Sequence, residues 1–330
     1  MSMEYILYAL MVLTLVSVIV VVIEHRVYRL IIYTAVFSLI ISAIYLVLGS
    51  PDVAMAEAAI GAYAIIFMIV MAEKYYKRDR FDERGNKRPP VTIPKSKASV
   101  PQILIGLVFV GGLVALFFHF APTGLEADIT LRTDYLLLSG DQVGGQNVIG
   151  AILMAYRLYD TLFEALLLVI AIMAVSHLSW LGKDYITEGR QSDIQRDKIA
   201  FYSIRIISPI ILLFGIYLVA NGHISAGGGF QGGLAIACFF ICRYMIHNIY
   251  DMPVKKVLKM EEIVFMALVV VAVLTIFVGN EWVPYQHTVL FQNFQLIAAN
   301  SLVGVKVACG FFILFYRYIT IERAENPETD

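Results

Sequence analysis

The chain has 330 residues, of which 59% are hydrophobic and 15% are charged, with a mean hydropathy of +0.76 and a formal net charge of −1. A soluble globular protein has roughly 45–50% apolar and about 25% charged residues, so this composition excludes an ordinary soluble domain. It predicts an all-α integral membrane protein in the cell membrane, surrounded by the lipid bilayer and without a nucleic-acid partner.

Nine apolar segments are long enough to cross a bilayer, since a helix needs about 20 residues to span the hydrocarbon core. Basic loops stay on the cytoplasmic side, and the segment 74–100 alone holds nine of the 25 Lys and Arg residues. We therefore predict an N-terminus outside and a cytoplasmic C-terminus. The predicted spans are 3–23, 30–48, 53–73, 101–120, 149–178, 201–221, 229–247, 261–279 and 298–318.

Two polar stretches divide these spans into groups of three, two and four. Residues 81–100 are rich in Pro and Lys, and residues 182–200 carry charges of both signs. Both stretches are predicted to be cytoplasmic linkers. The modules that they join are a three-helix module at 1–80, a two-helix module at 101–181 and a four-helix module at 201–330.

In the first module, Glu57 lies about a turn and a half inside a helix that is predicted to begin at Pro51. Asp52 is the expected N-terminal cap of that helix. Ala and Gly surround Glu57 in the sequence, and small residues let membrane helices approach closely, so we expect Glu57 to face a neighbouring helix. It either contributes to an ion path or is a hydrated residue near the membrane surface.

The strongest functional signal is a set of three charged residues, Arg157, Asp160 and Glu164, inside the apolar run 149–180. Their spacing of three and four residues places them on one face of a continuous helix, and a charge inside a span costs about 3 kcal/mol on insertion scales. Two carboxylates beside one arginine leave one net negative charge, which suits a proton relay or transient Na⁺ at Asp160 and Glu164. The alternative is an Arg157–Asp160 pair that only locks helices together.

The segment 221–233 joins two predicted spans through a glycine-rich turn. It matches G-x-G-x-x-G formally, but no βαβ unit surrounds it, which argues against a dinucleotide site. A tight re-entrant turn is predicted instead, because glycine allows unusual backbone conformations and close helix contacts. His223 in this turn either shuttles protons or is a polar residue at headgroup level. The structural glycines are Gly227, Gly228, Gly229, Gly232 and Gly233.

Lys306 lies near the middle of the last predicted span, where it can hardly face lipid. It is expected to face a carboxylate or a hydrated cavity, either in a proton path or in a static ion pair. Glu261 and Glu262 are predicted to open the preceding helix, where negative charge suits the positive end of the helix dipole.

No cofactor and no resident metal are expected. The chain has three cysteines and no C-x-x-C pair, whereas iron–sulfur clusters and structural zinc normally need four ligands close together. The sequence therefore predicts a protein without catalytic or redox chemistry of its own.

Three of these stretches resemble parts of one known group of membrane complexes. SPDVAMAEAAIGA resembles the helix shared by the small D-type subunit of archaeal membrane-bound hydrogenases and the C-terminal part of the large Mrp antiporter subunit. NVIGAILMAYRLYDTLFE is similar to the D-x-R-x-x-D-T-x-x-E pattern of the hydrogenase E-type subunit, which has an Mrp counterpart. NGHISAGGGFQGGL resembles the GH-x-x-PGGGF-x-GG turn of the B-type Mrp subunit.

The order of D-, E- and B-like stretches matches the division into three, two and four spans, so the resemblance covers nearly the whole chain. Glu57, Arg157, Asp160, Glu164 and His223 stand at polar positions of these motifs, while Lys306 is nominated on physical grounds alone. Three positions depart from the pattern, with Ala155 in place of an aspartate, Leu158 in place of a glycine and Ala226 in place of a proline.

The resemblance implies an ion-translocating, non-redox membrane subunit of an Mrp-like module in a multisubunit respiratory complex related to complex I, such as a membrane-bound hydrogenase or a sulfane reductase. Its expected partners are other membrane subunits, including an antiporter-like subunit, and its expected ions are Na⁺ and H⁺. One alternative is a structural adaptor that joins an antiporter-like subunit to the rest of the complex. Another is an autonomous cation/proton transporter, although no long internal inverted repeat supports it.

Overall fold

The computed structural model describes residues 3–76, 145–178, 198–246, 254–279 and 289–320, together with isolated positions between 104 and 143. The regular elements in this part of the chain are all helices, as the composition predicts. They are α1 (Met3–Ile23), α2 (Val27–Val47), α3 (Pro51–Tyr76), α4 (Val148–Ala151), α5 (Leu158–Leu178), α6 (Lys198–Asn221), α7 (Gly229–Ile246), α8 (Val254–Gly279) and α9 (Val289–Thr320), with a π-helix at Ile152–Tyr156 between α4 and α5.

Within the described residues, six helices are long and apolar enough to cross a membrane, namely α1, α2, α3, α5, α6 and α9. α7 adds a shorter apolar stretch, Gly229–Arg243. The chain is therefore a multi-pass membrane protein. The span predicted at 101–120 and the two linkers lie almost wholly outside the described residues, and the count of nine spans and the orientation of the termini stay predictions.

A tight turn joins α2 to α3 and sets these helices against each other. Gly49 has a φ of 74°, its N–H donates to the Leu46 carbonyl, and the Ser50 N–H donates to the Tyr45 carbonyl. This pair of bonds is the Schellman ending of a helix, in which glycine takes the left-handed position at no steric cost. Pro51 then starts α3, and the Ser42 hydroxyl donates across the hairpin to the Ala54 carbonyl at 2.7 Å.

α9 is the central helix of the described structure. It packs against α3, α5, α6, α7 and α8, and 67% of its span Gln295–Tyr318 is buried. The Tyr63 hydroxyl of α3 donates to the Phe311 carbonyl of α9 at 2.9 Å, which fixes the first module against the third. By contrast, α1 packs against α2 and leaves nearly all its side chains exposed.

Glycines allow α6, α7 and α9 to pack at backbone distance. A Cβ added at Gly233 of α7 would lie 2.6 Å from the Gly304 carbonyl of α9, and one at Gly232 would lie 2.6 Å from the Gly215 carbonyl of α6. Such distances leave no room for a side chain at either position. Gly233 therefore sets the separation of α7 and α9, and Gly232 sets the separation of α7 and α6.

Two helices extend further than their apolar segments predict. α8 begins at Val254 and α9 at Val289, whereas the predicted spans begin at 261 and 298. The additional turns of α8 carry Lys255, Lys256 and Lys259. Because spans are predicted from hydropathy, charged helical turns outside the apolar segment are missed. The expectation that Glu261 and Glu262 open this helix is therefore wrong, since Glu261 lies about two turns inside it.

Candidate functional site

The predicted continuous helix through Arg157 is in fact interrupted directly before that residue. The Arg157 N–H donates to the Ile152 carbonyl at 2.7 Å, which is the i→i−5 bond of a π-helix. Arg157 itself has φ −121° and ψ 33°, outside helical values, and α5 starts at the next residue. Single π turns inside membrane helices are rare and occur often at functional sites.

A hydroxyl group compensates for the wider turn. The Thr161 Oγ1 donates to the Leu153 carbonyl at 2.9 Å, across eight residues of the chain. Thr161 is buried, so this bond satisfies a carbonyl that the interruption leaves without its usual helical partner. The threonine of the D-T-x-x-E stretch thus stabilises the break.

Arg157 and Asp160 form an ion pair on the surface of the chain, with side-chain exposures of 62% and 52%. Asp160 lies in the first turn of α5, where a carboxylate also interacts favourably with the helix dipole. Glu164 is exposed as well, and no cation among the described residues pairs with it. The three charges therefore lie on an outward-facing surface of the chain and not between its own helices.

Glu57 makes its contact across the α2–α3 hairpin. The Ser38 hydroxyl donates to Glu57 Oε1 at 2.8 Å, and Glu57 is half-buried. Gly61, one turn further along α3, lies directly against the Ser38 side chain, so that even a methyl group there would displace the hydroxyl. The small residues around Glu57 thus bring α2 near enough to supply a hydrogen-bond donor.

Asp52 accepts hydrogen bonds from two distant parts of the chain, although the sequence predicts a local helix cap. Its Oδ1 accepts from the Asn147 side-chain amide at 3.0 Å and from the Gly227 N–H at 3.0 Å, donors that lie 95 and 175 residues away in sequence. Asp52 is buried. The cap prediction is wrong because α3 begins at Pro51, which places Asp52 inside the first turn and not before it.

Asn147 connects three distant parts of the chain through one side chain. Its amide nitrogen lies within hydrogen-bond distance of Asp52 Oδ1, of the Gly222 carbonyl at 3.1 Å and of the Ser225 carbonyl at 2.9 Å, so its two N–H groups are shared among three acceptors. Its Oδ1 accepts from Ile149 N and Gly150 N and so caps α4. We call Asp52, Asn147 and the turn 222–228 the junction.

The turn within the junction requires glycine. Gly227 and Gly228 have φ values of 144° and 151°, which residues other than glycine rarely adopt. Gly229 then starts α7 with its N–H donating to Asn300 Oδ1 of α9 at 3.2 Å. The predicted tight turn is present, and it docks on the buried side chain of Asn300.

His223 contributes mainly its backbone to the junction, since its carbonyl accepts from the Asn147 N–H at 3.0 Å. The imidazole is half-buried, and its Nδ1 is buried without a hydrogen-bond partner in the described part of the chain. A buried ring nitrogen without a partner carries a desolvation cost.

Lys306 is fully buried in a second cluster and pairs with Glu261 of α8, whose exposure is 3%. The Lys306 ammonium also lies 4.8 Å from the ring centroid of Phe265. Sequence reasoning correctly expects a carboxylate opposite Lys306 but assigns Glu261 to a helix start. Only the observed start of α8 at Val254 shows that Glu261 lies inside this helix and not at its beginning.

These charged groups form separate clusters. Among the described residues, Glu57, Glu164 and Lys306 are not joined to one another by a hydrogen bond or an ion pair. No group of three or more His, Cys, Asp or Glu in that part of the chain has the arrangement of a metal site.

The fold and these clusters define a multi-pass helical membrane protein with ionisable side chains inside its spans. Residues 199–317 match the family described as a domain related to the MnhB subunit of a Na⁺/H⁺ antiporter. Residues 12–78 match the family described as the D subunit of MBH. Two segments of one polypeptide thus match families related to a Na⁺/H⁺ antiporter subunit and to an MBH subunit.

Two curated proteins are similar in sequence. An uncharacterized protein of Methanocaldococcus jannaschii is 29% identical over 220 residues, which cover 55% of this chain and 82% of that protein. A probable A/B subunit of a K⁺/H⁺ antiporter of Rhizobium meliloti is 23% identical over 219 residues, which cover 60% of this chain and 21% of that protein.

Two solved structures share the fold. The Mrp complex of a Dietzia species matches with a TM-score of 0.68 at 19% identity, over 97% of this chain and 35% of that chain. The membrane-bound sulfane sulfur reductase, an archaeal respiratory membrane complex, matches with a TM-score of 0.54 at 25% identity, over 67% of this chain and 98% of that chain. The chain therefore spans well under two thirds of the Mrp chain and of the Rhizobium protein.

Proposed function

We propose that this chain is an ion-translocating, non-redox membrane subunit of an antiporter-like module within a multisubunit respiratory complex. The observation that carries the proposal is the π-helical interruption beside Arg157, Asp160 and Glu164 within the membrane. An interrupted helix frees backbone groups, and charges inside a span mark ion and proton routes more often than structural contacts.

In this proposal, Asp160 and Glu164 bind and release Na⁺ or H⁺. Arg157 restrains Asp160 through its ion pair, whereas no cation among the described residues pairs with Glu164, so Glu164 is the main exchanging carboxylate. Glu57, with its Ser38 donor, extends the route through α3. His223, whose ring Nδ1 has no hydrogen-bond partner in the described part of the chain, lies at the entrance of the route, and Lys306 at its far end. The matches to antiporter and respiratory-complex subunits support the proposal.

The test is Glu164→Gln and Asp160→Asn in the assembled complex. Each amide keeps the shape of the side chain but cannot exchange a proton or carry a full charge. We therefore expect Na⁺/H⁺ exchange in membrane vesicles to fall about a hundredfold, the lower end of the range for losing a general acid or base. Glu262→Gln, at an exposed carboxylate of α8, is the matched control and is expected to exchange normally. Unchanged rates in both test variants would reject the pathway.

A structural adaptor is the second candidate, and the junction favours it. A buried side-chain amide that binds three modules is a static contact, and it needs no ion to act. If the chain is only an adaptor, Asn147→Ala lowers the yield of intact complex on native gels, while each complex that forms exchanges ions at the parental rate. The same variant lowers yield under the first proposal too, so Glu164→Gln remains the deciding measurement.

A further inference from the structure

α5 has two faces of different character. One face packs on α9, where the Leu168 side chain lies over Gly310 so closely that a Cβ there would be 2.6 Å from Leu168 Cδ2. Thr161, Ala165 and Ile172 are buried on the same side. The other side, which we call the exposed face of α5, consists of Asp160, Phe163, Glu164, Leu167 and Ile170.

The exposed face cannot be a lipid-facing surface. Phe163 and Leu167, at 62% and 66% exposure, would suit lipid, but Glu164 lies between them. It is the seventh residue of the span Leu158–His177, about 9 Å along the helix from its start at 1.5 Å per residue. Carboxylates at that depth face protein or water and not hydrocarbon, so lipid alone does not surround this face.

The charge on the face indicates what covers it. Arg157 neutralises Asp160, which leaves Glu164 as the net negative charge. Lys306, the intramembrane lysine of α9, is already buried against Glu261 and is not available. A covering helix with a positive charge opposite Glu164 would satisfy this carboxylate, because a buried carboxylate is stable only when it is paired or hydrogen-bonded.

We propose that the exposed face of α5 is the docking surface for a transmembrane helix of a second polypeptide, which presents a lysine or arginine to Glu164. The apolar run 101–120 of this chain contains no Lys or Arg, and its one histidine, His119, is its second-to-last residue, so the run has no permanent cation. A second copy of this chain would bring two net negative faces together, which is repulsive. The inference rests on exposure and charge, and it holds whether or not ions pass along the face.

The first test identifies the neighbour of the face. A chain in which Phe163 is replaced by p-benzoyl-phenylalanine during synthesis carries the photoreactive group on this face before the complex assembles, so no covered position has to be labelled afterwards. After illumination, the cross-linked peptide is sequenced by mass spectrometry. We expect an apolar peptide of another polypeptide of the complex, with a Lys or Arg within one helical turn of the link.

Other products overturn the proposal: a peptide from 101–120, a second copy of this chain, a peptide without a basic residue, or lipid adducts alone. The unsubstituted chain, illuminated in parallel, gives the background. If the substitution at Phe163 prevents folding, the same photoreactive residue at Leu167 places the probe one turn along the same face.

The second test reverses the charge. Glu164→Lys sets two positive charges against each other, so the amount of the identified partner that co-purifies should fall at least about tenfold. Changing the partner's basic residue to glutamate should then restore most of the loss. Glu164→Gln, which removes the charge without reversing it, is the control and should lose less. Full retention of the partner by Glu164→Lys, or no rescue by the reversed pair, contradicts the proposal.

Discussion

Lys306→Met is expected to destabilise the complex strongly, by about 3–5 kcal/mol in the free energy of unfolding. The substitution leaves Glu261 buried at 3% exposure without its cation, and an uncompensated buried charge is among the costliest defects that one substitution can create. Glu261→Met should cost a similar amount for the converse reason. The measurement is the thermal or detergent unfolding midpoint of the purified complex.

Replacing both partners should reverse most of this loss. In the double variant Lys306→Met/Glu261→Met no charge is left unpaired, and apolar pairs often equal or exceed buried ion pairs in stability. The cycle of single and double variants therefore isolates the coupling between the two side chains. A double variant as unstable as either single variant would contradict the pairing.

The same double variant distinguishes a static lock from a relay. Because the proposed route includes Lys306, we expect the double variant to assemble normally and yet exchange ions more slowly than the parental complex. Parental exchange rates in that stable double variant would show that the pair only holds α8 to α9.

Gly233→Ala is also expected to have a large effect. It should lower the free energy of unfolding by about 3 kcal/mol, the upper end of the usual cost of overpacking a core. The new methyl group would lie 2.6 Å from the Gly304 carbonyl and 2.8 Å from Val307 Cβ. Neither the backbone carbonyl nor a Cβ can rotate away, so α7 and α9 must separate. The unfolding midpoint and the yield of complex should both fall.

A matched glycine provides the control. A Cβ at Gly111 meets nothing within 4 Å, so Gly111→Ala should leave the midpoint unchanged or raise it slightly, because alanine favours helix. Equal losses in both variants would show that the defect is not the contact between α7 and α9.

Local patterns in the sequence predict the helices well because a helix is made from neighbours in sequence. The spans at 3–23, 201–221 and 53–73 correspond to α1, α6 and α3 within a few residues at most ends. The glycine turn is also predictable, since only glycine tolerates its backbone angles. The helix interruption before Arg157 is not predictable from the sequence. The segment 152–156 contains neither Pro nor Gly and has the composition of an ordinary helix.

Contacts between distant residues account for most of the remaining differences. The partner of Lys306 lies 45 residues earlier in the chain, and the donor to Asp52 lies 95 residues later. The periodicity of the sequence shows which buried polar residues need a hydrogen-bond or ion-pair partner. It does not show which distant residue is that partner. The exposure of Glu164 is beyond sequence reasoning for the same reason, since only packed neighbours decide which side of α5 is free.

The junction also bears on why three modules can share one polypeptide. Asn147 binds the first and third modules through its side chain, and Tyr63 joins them again through the Phe311 carbonyl. Non-covalent contacts thus hold the described helices together, and we propose that the predicted linkers at 81–100 and 182–200 mainly raise the effective concentration of each predicted module near the others. Cutting both linkers should therefore slow assembly far more than it weakens the finished protein.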